Sequence, residues 1–404
     1  NSSHQFVGMF TLNTLGKRNC GALRKIRFNF YKRNAGGKSE LEDLLEKTVV
    51  GDTRDQAINQ NWLHGPYPKG SNYKQSQAYK SLRPITDPSE TTVILFPGQG
   101  TQYVGMGKSL LKYPNVKEIY NTASDILGYD LLTLCETGPP FKLNRTEFCQ
   151  PAILVHSLAC VEKLKVSDPS AIENCITTAG FSVGEITALT FAGAFSFEDA
   201  VKLVQHRGLA MQKASEVAPS SMMTVFYMPG AKVGLACEIA KRWCIKEKKI
   251  EGAECCVANY LFPGCKVIAG SDEALRFLEE NKEDFLFKKC KRLPVSGAFH
   301  TSLMKSASDS FKELLETIDI NEPLIPVHSN VNNAVYKSVK DILRLLPRQI
   351  HSPIKWEQLM HVIYERNPGQ SFPKTFECGP GSSLLSVLKA VNLKASLSMK
   401  SIDS

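Results

Sequence analysis

Three things are scarce or missing in this 404-residue chain. No apolar run approaches the roughly 18 residues needed to cross a bilayer, and there is no secretory apolar segment, so neither a membrane span nor export is expected. No C-x-x-C pair occurs among the 12 cysteines, whose spacings are irregular. That pattern supports neither a zinc site nor a disulfide framework, and it fits a reducing compartment. Cys135, Cys160, Cys175 and Cys237 lie in apolar surroundings and read as buried thiols. Finally, residues 1–39 contain no Asp or Glu.

The same 39 residues carry eight cations: Lys17, Arg18, Arg24, Lys25, Arg27, Lys32, Arg33 and Lys38. The net charge of the whole chain is +9, so everything after them carries only +1. A nearly neutral globular part projects no strong field toward nucleic acid, and no nucleic-acid partner is expected. The leader also has Ser, Thr and Asn among spaced apolar residues such as Leu12, Leu15, Leu23, Ile26 and Phe28. It fits a mitochondrial transit segment over 1–39, with a disordered basic tail as the plainer alternative. The chain begins at Asn1, which leaves the true start open, and Met9 is one candidate initiator.

Residues 40–91 are polar and rich in Asn, Gln, Pro and Tyr, and read as a linker with one short helix at 40–48. Hydrophobic residues make up 43% of the chain, enough for a sizeable core beyond the linker. Thr92–Phe96 is a short apolar run ended by Pro97-Gly98, which predicts a buried strand and a turn. Helical patterns come next at 103–112, 116–127 and 150–165, then a strand at Ile176–Gly180 and helices at 183–192 and 197–215. This alternation predicts an α/β domain with a largely parallel sheet. From about 220 the order becomes β-α-β-β-α-β, with strands at 222–228, 254–259, 265–269 and 286–292 and helices at 231–246 and 272–282. That is a ferredoxin-like arrangement. The expected organisation is a large subdomain from 92–220 and 294–404, with a small ferredoxin-like subdomain, 221–293, inserted in it. Helices are expected near 302–316, 339–349, 354–365 and 383–391, and strands near 325–329 and 373–378. No internal repeat is evident.

The chemistry centres on Gly180-Phe181-Ser182-Val183-Gly184. G-x-S-x-G between a strand and a helix is a nucleophile elbow, in which the turn is too tight for side chains at the glycines. Ser182 would stand at a helix N-terminus, where the Val183 N–H is free to stabilise an oxyanion. Alone, the pattern leaves a nucleophile and an ordinary turn both open. A serine needs a base. His156 and His206 sit within helical patterns and read as packed or solvated, whereas His300 lies in a loop between a strand and a helix, a place from which an imidazole can be aimed. Pro97-Gly98-Gln99-Gly100 comes after the first strand and lets a backbone N–H approach a ligand, or is a plain turn.

Five segments occur in order: Phe96-Pro-Gly-Gln99-Gly-Thr-Gln, Gly180-Phe-Ser182-Val-Gly-Glu185, Gln205-His-Arg207-Gly-Leu-Ala-Met211-Gln, Gly297-Ala-Phe299-His300 and Glu377-Cys-Gly-Pro-Gly381. Together they resemble the malonyl-CoA:acyl carrier protein transacylases, over about 92–393. The resemblance implies a hydrolase-like large subdomain with Ser182 as nucleophile and His300 as base, the imidazole oriented by a carbonyl near Gln349. It implies backbone oxyanion donors at Gln99 and Val183, and Arg207 as the grip on the malonyl carboxylate. Phe299, Met211 and Asn259 would complete the substrate site, Phe299 narrowing it against branched acyl groups. The implied partners are malonyl-CoA and acyl carrier protein, with no metal or other cofactor, in the mitochondrial matrix, and a monomer is expected. Phe181 stands where the family often has His, and Leu261 where it often has a second Asn after Asn259. Lys288, Lys289, Lys291 and Arg292 form a basic stretch, read either as part of a carrier or CoA-phosphate face or as a charged strand edge. A serine thioesterase or hydrolase, and a non-catalytic carrier-binding scaffold, are the alternatives.

Overall fold

The computed structural model describes residues 87–366 and 369–403. The transit segment and nearly all of the linker expected from the sequence, including its 40–48 helix, lie outside the described residues. Thr92–Phe96 (β1) is buried at every position. Val93 and Leu95 pack into one apolar cluster, Ile94 and Phe96 into another on the opposite face. A strand covered on both faces reads as a continuous apolar run rather than an alternating one, which is why TVILF was legible.

Next come Val116–Leu127 (α1), Leu131–Thr137 (α2) and Thr146–Ser167 (α3). The helix expected at 103–112 is absent; that stretch is turns and a single 3-10 turn at Lys108–Leu110. Gly105 and Gly107 there have φ of 104° and 93°, outside the helical region, so the chain bends where the apolar spacing suggested a helix. A Cβ on Gly107 would also meet the Tyr120 hydroxyl at 2.7 Å. α3 is buried along most of its length, as expected of a helix threaded through a core.

The chain then forms Cys175–Gly180 (β2), Val183–Phe191 (α4) and Phe197–Glu216 (α5), the last capped by the Ser196 hydroxyl accepting from Asp199 N–H at 3.0 Å. Beyond them lie Ser220–Tyr227 (β3), Val233–Lys246 (α6), Cys255–Phe262 (β4), Cys265–Ser271 (β5), Asp272–Glu280 (α7) and Phe287–Arg292 (β6). Their antiparallel sheet has the order β4-β5-β3-β6, the ferredoxin-like order, and its helices cover one face. Lys305–Leu315 (α8), Val327–His328 (β7), Val339–Gln349 (α9), Trp356–Tyr364 (α10), Lys374–Glu377 (β8), Ser383–Val391 (α11) and Met399–Ser401 (β9) complete the described chain. The large sheet is wholly parallel, in the order β7-β2-β1-β8-β9. Helices lie on both of its faces, so its carboxyl edge, where β1 and β2 end, is the expected place for a site.

Among the described residues every cysteine is free. Cys135, Cys160 and Cys237 are buried as expected, while Cys175, at the start of β2, is only half-buried. His156 is fully buried and takes no part in the site. Its Nε2 lies 2.7 Å from Asp403 and its Nδ1 3.3 Å from the Tyr120 hydroxyl. Cys160 is close by, but with both ring nitrogens engaged this trio is a latch for the C-terminal segment rather than a metal site. His206 is also accounted for, on Ser310 at the surface of α8.

Candidate active site

The elbow forms because two glycines leave no alternative. A Cβ on Gly180 would lie 1.8 Å from the Gly184 carbonyl oxygen, and one on Gly184 2.4 Å from that of Phe96. Ser182 sits between them at φ 54°, a strained value for a serine, held by its N–H donating to Asn330 Oδ1 at 2.9 Å. Asn330 in turn donates to the Gly180 carbonyl at 2.8 Å. The side chain of Ser182 is thus thrown clear of the sheet at the first turn of α4. Val183 is the first residue of that helix, and its N–H has no partner within it. Phe181 N–H donates to the Phe96 carbonyl at 2.9 Å, which brings the loop after β1, carrying Gln99, against the elbow. The Phe181 ring packs edge-on to Trp356, with centroids 5.3 Å apart, so the residue that differs from the family's usual His contributes to the core.

Ser182 Oγ lies 3.0 Å from His300 Nε2. His300 Nδ1 lies 2.8 Å from the backbone carbonyl of Gln349. A carbonyl only accepts, so Nδ1 carries the proton and the Nε2 lone pair faces the serine hydroxyl. Burial, and then the charge of Arg207, push the imidazole down to about 3. It is therefore neutral in the empty site at any physiological pH. Both residues are nearly closed to solvent, Ser182 at 7% and His300 at 4% exposure.

Arg207, from α5, is buried beside them. One guanidinium nitrogen, Nη1, donates to Gln150 Oε1 at 2.7 Å; the other, Nη2, donates to Gln349 Oε1 at 2.7 Å and to Ser182 Oγ at 3.2 Å. Burial pulls it down to about 10, opposed by Glu185, so it remains a cation. A buried guanidinium 3.2 Å from the elbow serine hydroxyl and held by neutral amides can take a carboxylate on its free N–H groups.

Ser182, His300, Arg207 and Gln349 are thus in direct contact. Met211 joins them through Gln150, whose Nε2 reaches its sulfur at 3.3 Å. Gln99 Nε2 donates to the buried Thr146 hydroxyl at 3.3 Å, which lies 3.0 Å from the Ser296 hydroxyl. Phe299 is buried next to His300 in the main core. Asn259, on β4, is buried with no hydrogen-bond partner on Oδ1, and Leu261 packs against the main core. Three residues of the cluster were not assigned from the sequence: Gln150, Glu185 and Asn330. The only signal for the first two was a polar residue in an apolar helical stretch.

An elbow serine, a carbonyl-oriented histidine and a free helix N-terminal N–H on a doubly covered parallel sheet define a serine-dependent acyl-transfer site, of the kind shared by hydrolases and acyltransferases. Residues 93–340 match the family model described as acyl transferase domain. The chain is 51% identical over 316 residues to the mitochondrial malonyl-CoA-acyl carrier protein transacylase of Homo sapiens, covering 78% of this chain and 81% of that protein. It is 51% identical, again over 316 residues, to the probable mitochondrial counterpart of Drosophila melanogaster, covering 78% and 83%. Among solved structures, the malonyl-CoA-acyl carrier protein transacylase of Coxiella burnetii superposes with a TM-score of 0.69 at 31% identity, over 79% of this chain and 96% of that one. The chain belongs to the malonyl-CoA-acyl carrier protein transacylase family and is an acyltransferase.

Proposed function

We propose that this enzyme moves malonyl groups from malonyl-CoA to the phosphopantetheine thiol of acyl carrier protein by a ping-pong reaction through malonyl-Ser182. The observation that carries the reading is the buried Arg207 guanidinium, hydrogen-bonded to the oxygen of a serine whose other partner is a neutral imidazole. A thioesterase has no need of that cation.

Ser182 Oγ attacks the thioester carbonyl while His300 Nε2 takes its proton. The Gln349 carbonyl then faces an imidazolium and stabilises it. The oxyanion that forms is held by the N–H groups of Val183 and Gln99, each worth about 100- to 1,000-fold in rate. The tetrahedral intermediate collapses, His300 returns the proton to the departing CoA sulfur, and malonyl-Ser182 remains. The carrier thiol repeats the sequence from the other side, again with His300 as base. The walls that leave Ser182 and His300 almost unexposed keep water from the acyl-enzyme. The chemistry calls for no metal or redox cofactor, and a monomer suffices.

The human and fly relatives are named mitochondrial. Together with the basic leader this supports action in the mitochondrial matrix, supplying malonyl groups for fatty acid synthesis there. A related malonyl-transacylase has been solved in complex with a polyketide acyl-carrier protein, which supports the carrier as acceptor. Strand pairing places Lys289 and Lys291 opposite Phe226 and Thr224, on the face of the small sheet not covered by its helices. Lys288, Lys289 and Lys291 are exposed, whereas Arg292 is held by Glu279 and Asp272. Replacing the three lysines by Glu is expected to raise the KM for carrier protein about tenfold or more, by charge repulsion, with little change in kcat. Steady-state transfer of labelled malonyl to the holo carrier measures both the activity and this effect. No transfer under any condition would reject the proposed function, and an unchanged KM would reject the docking face.

A further inference from the structure

Glu185 is the one charged group of this cluster for which the reaction has no use. It is fully buried in the first turn of α4, three residues after the nucleophile. One carboxylate oxygen accepts from the Tyr336 hydroxyl and from Asn330 N–H, the latter at 3.2 Å; the other accepts from Gln349 Nε2 at 2.9 Å. The same Gln349 amide donates to the Ser182 carbonyl at 2.6 Å and accepts from Arg207 at 2.7 Å. Glu185 and Arg207 are therefore joined through a single amide. A fully buried guanidinium needs a compensating charge, and Glu185 is the anion its environment supplies.

That balance changes when an acyl carboxylate enters. Two anions would then share one buried cation, with little water to screen them. We propose that Glu185 is a positioning residue that holds Arg207 in the empty site through the Gln349 amide, and takes up a proton from solvent when a malonyl carboxylate replaces it as the counter-charge. The step is simple: carboxylate plus one proton gives the neutral acid, whose new O–H can donate to the Tyr336 hydroxyl oxygen while its other oxygen still accepts from the Gln349 amide. Burial already pushes Glu185 up to about 7, so little further bias is required. The other titratable groups around it are Arg207 from α5, Tyr336 from the segment before α9 with Asp341 beyond it, and His300, which shares Gln349 with it. Tyr336 is held neutral by burial. His300 is a rival for the proton, but it starts from about 3.

The inference rests on the reading that Arg207 takes the acyl carboxylate, and the test separates the two. The full chain carrying Ser182→Ala, which binds without turnover, is titrated calorimetrically with malonyl-CoA and with acetyl-CoA in buffers of different ionisation enthalpy. Both ligands bring the same CoA phosphates, so the difference in proton uptake belongs to the carboxylate. A carboxyl that titrates higher in the complex than in the free protein makes binding weaken as pH rises through the window above about 7. The expected excess uptake for malonyl-CoA is about half a proton or more at pH 8 and near zero at pH 6. Malonyl-CoA affinity should correspondingly be about 3- to 10-fold weaker at pH 8 than at pH 6. Adding Glu185→Gln, which preserves an acceptor but not the charge, should remove both effects. Tighter binding of malonyl-CoA without excess uptake overturns the proposal and leaves the Arg207 reading standing. Excess uptake that survives Glu185→Gln and disappears with His300→Asn assigns the proton to the base, and also overturns it. Equal affinity for the two ligands overturns both. If the Glu185→Gln variant does not fold, His300→Asn decides: excess uptake that persists in it supports the proposal, and excess uptake that disappears with it overturns the proposal.

Discussion

Arg207→Ala is expected to lower kcat/KM for malonyl-CoA by about 100- to 1,000-fold while leaving acetyl-CoA unchanged or faster. The size reflects where the side chain sits. Arg207 is 1% exposed, and its guanidinium is fixed by Gln150, Gln349 and Ser182 before any substrate arrives. A carboxylate docked there exchanges water for a pre-aimed cation in a poorly screened pocket, worth about 3–4 kcal/mol, or two to three decades. Acetyl-CoA cannot recover that energy, since its methyl group offers the guanidinium no acceptor. Removing the cation therefore penalises only the malonyl substrate. Arg207→Lys is predicted to fall between the two, because one ammonium cannot reach both Gln150 and Gln349 and also present a fork to the ligand. Competition between the two CoA esters, scored by the acyl group found on the carrier, checks the ratio. A loss shared equally by malonyl and acetyl would mean that Arg207 only supports the fold.

His300→Ala should reduce kcat about 100- to 10,000-fold, with a smaller change in the KM for malonyl-CoA. The imidazole is the only described base within reach of Ser182 Oγ, at 3.0 Å, and its protonated form is prepared for by the Gln349 carbonyl at 2.8 Å. Arg207 offers the serine a donor, which lowers the electron density on oxygen rather than raising it. Substrate binding should persist, because the carboxylate grip is separate from the base. Single-turnover acylation separates the step from product release. A loss below about tenfold would require another base in the site.

The chemistry was most legible where geometry forbids alternatives. Gly180 and Gly184 have no room for a Cβ, so the elbow leaves a fixed pattern in the sequence. β1 and α9 were legible through an apolar run and a sharp amphipathic period ended by Gln349. His300 was harder, since only its loop position and the neighbouring motifs set it apart. The Gln349 carbonyl has no side-chain signature at all, because any residue carries one; it entered through family likeness. Glu185, Gln150 and Asn330 were missed for a different reason. Their roles depend on which distant segments meet, and sequence periodicity says nothing about a hydrogen bond between residues 150 apart, as between Asn330 and Gly180. At 103–112 the apolar spacing is helical, but two glycines at positive φ override it. β9 was illegible because three residues docking beside β8 have too short a pattern to see.

The nucleophile itself is tested most directly by mass spectrometry of the protein after brief incubation with malonyl-CoA and no carrier. A malonyl adduct mapped to Ser182, absent from Ser182→Ala and discharged on adding holo acyl carrier protein, is the expected result. An unmodified Ser182, or an adduct that persists in Ser182→Ala, would contradict a malonyl-serine intermediate.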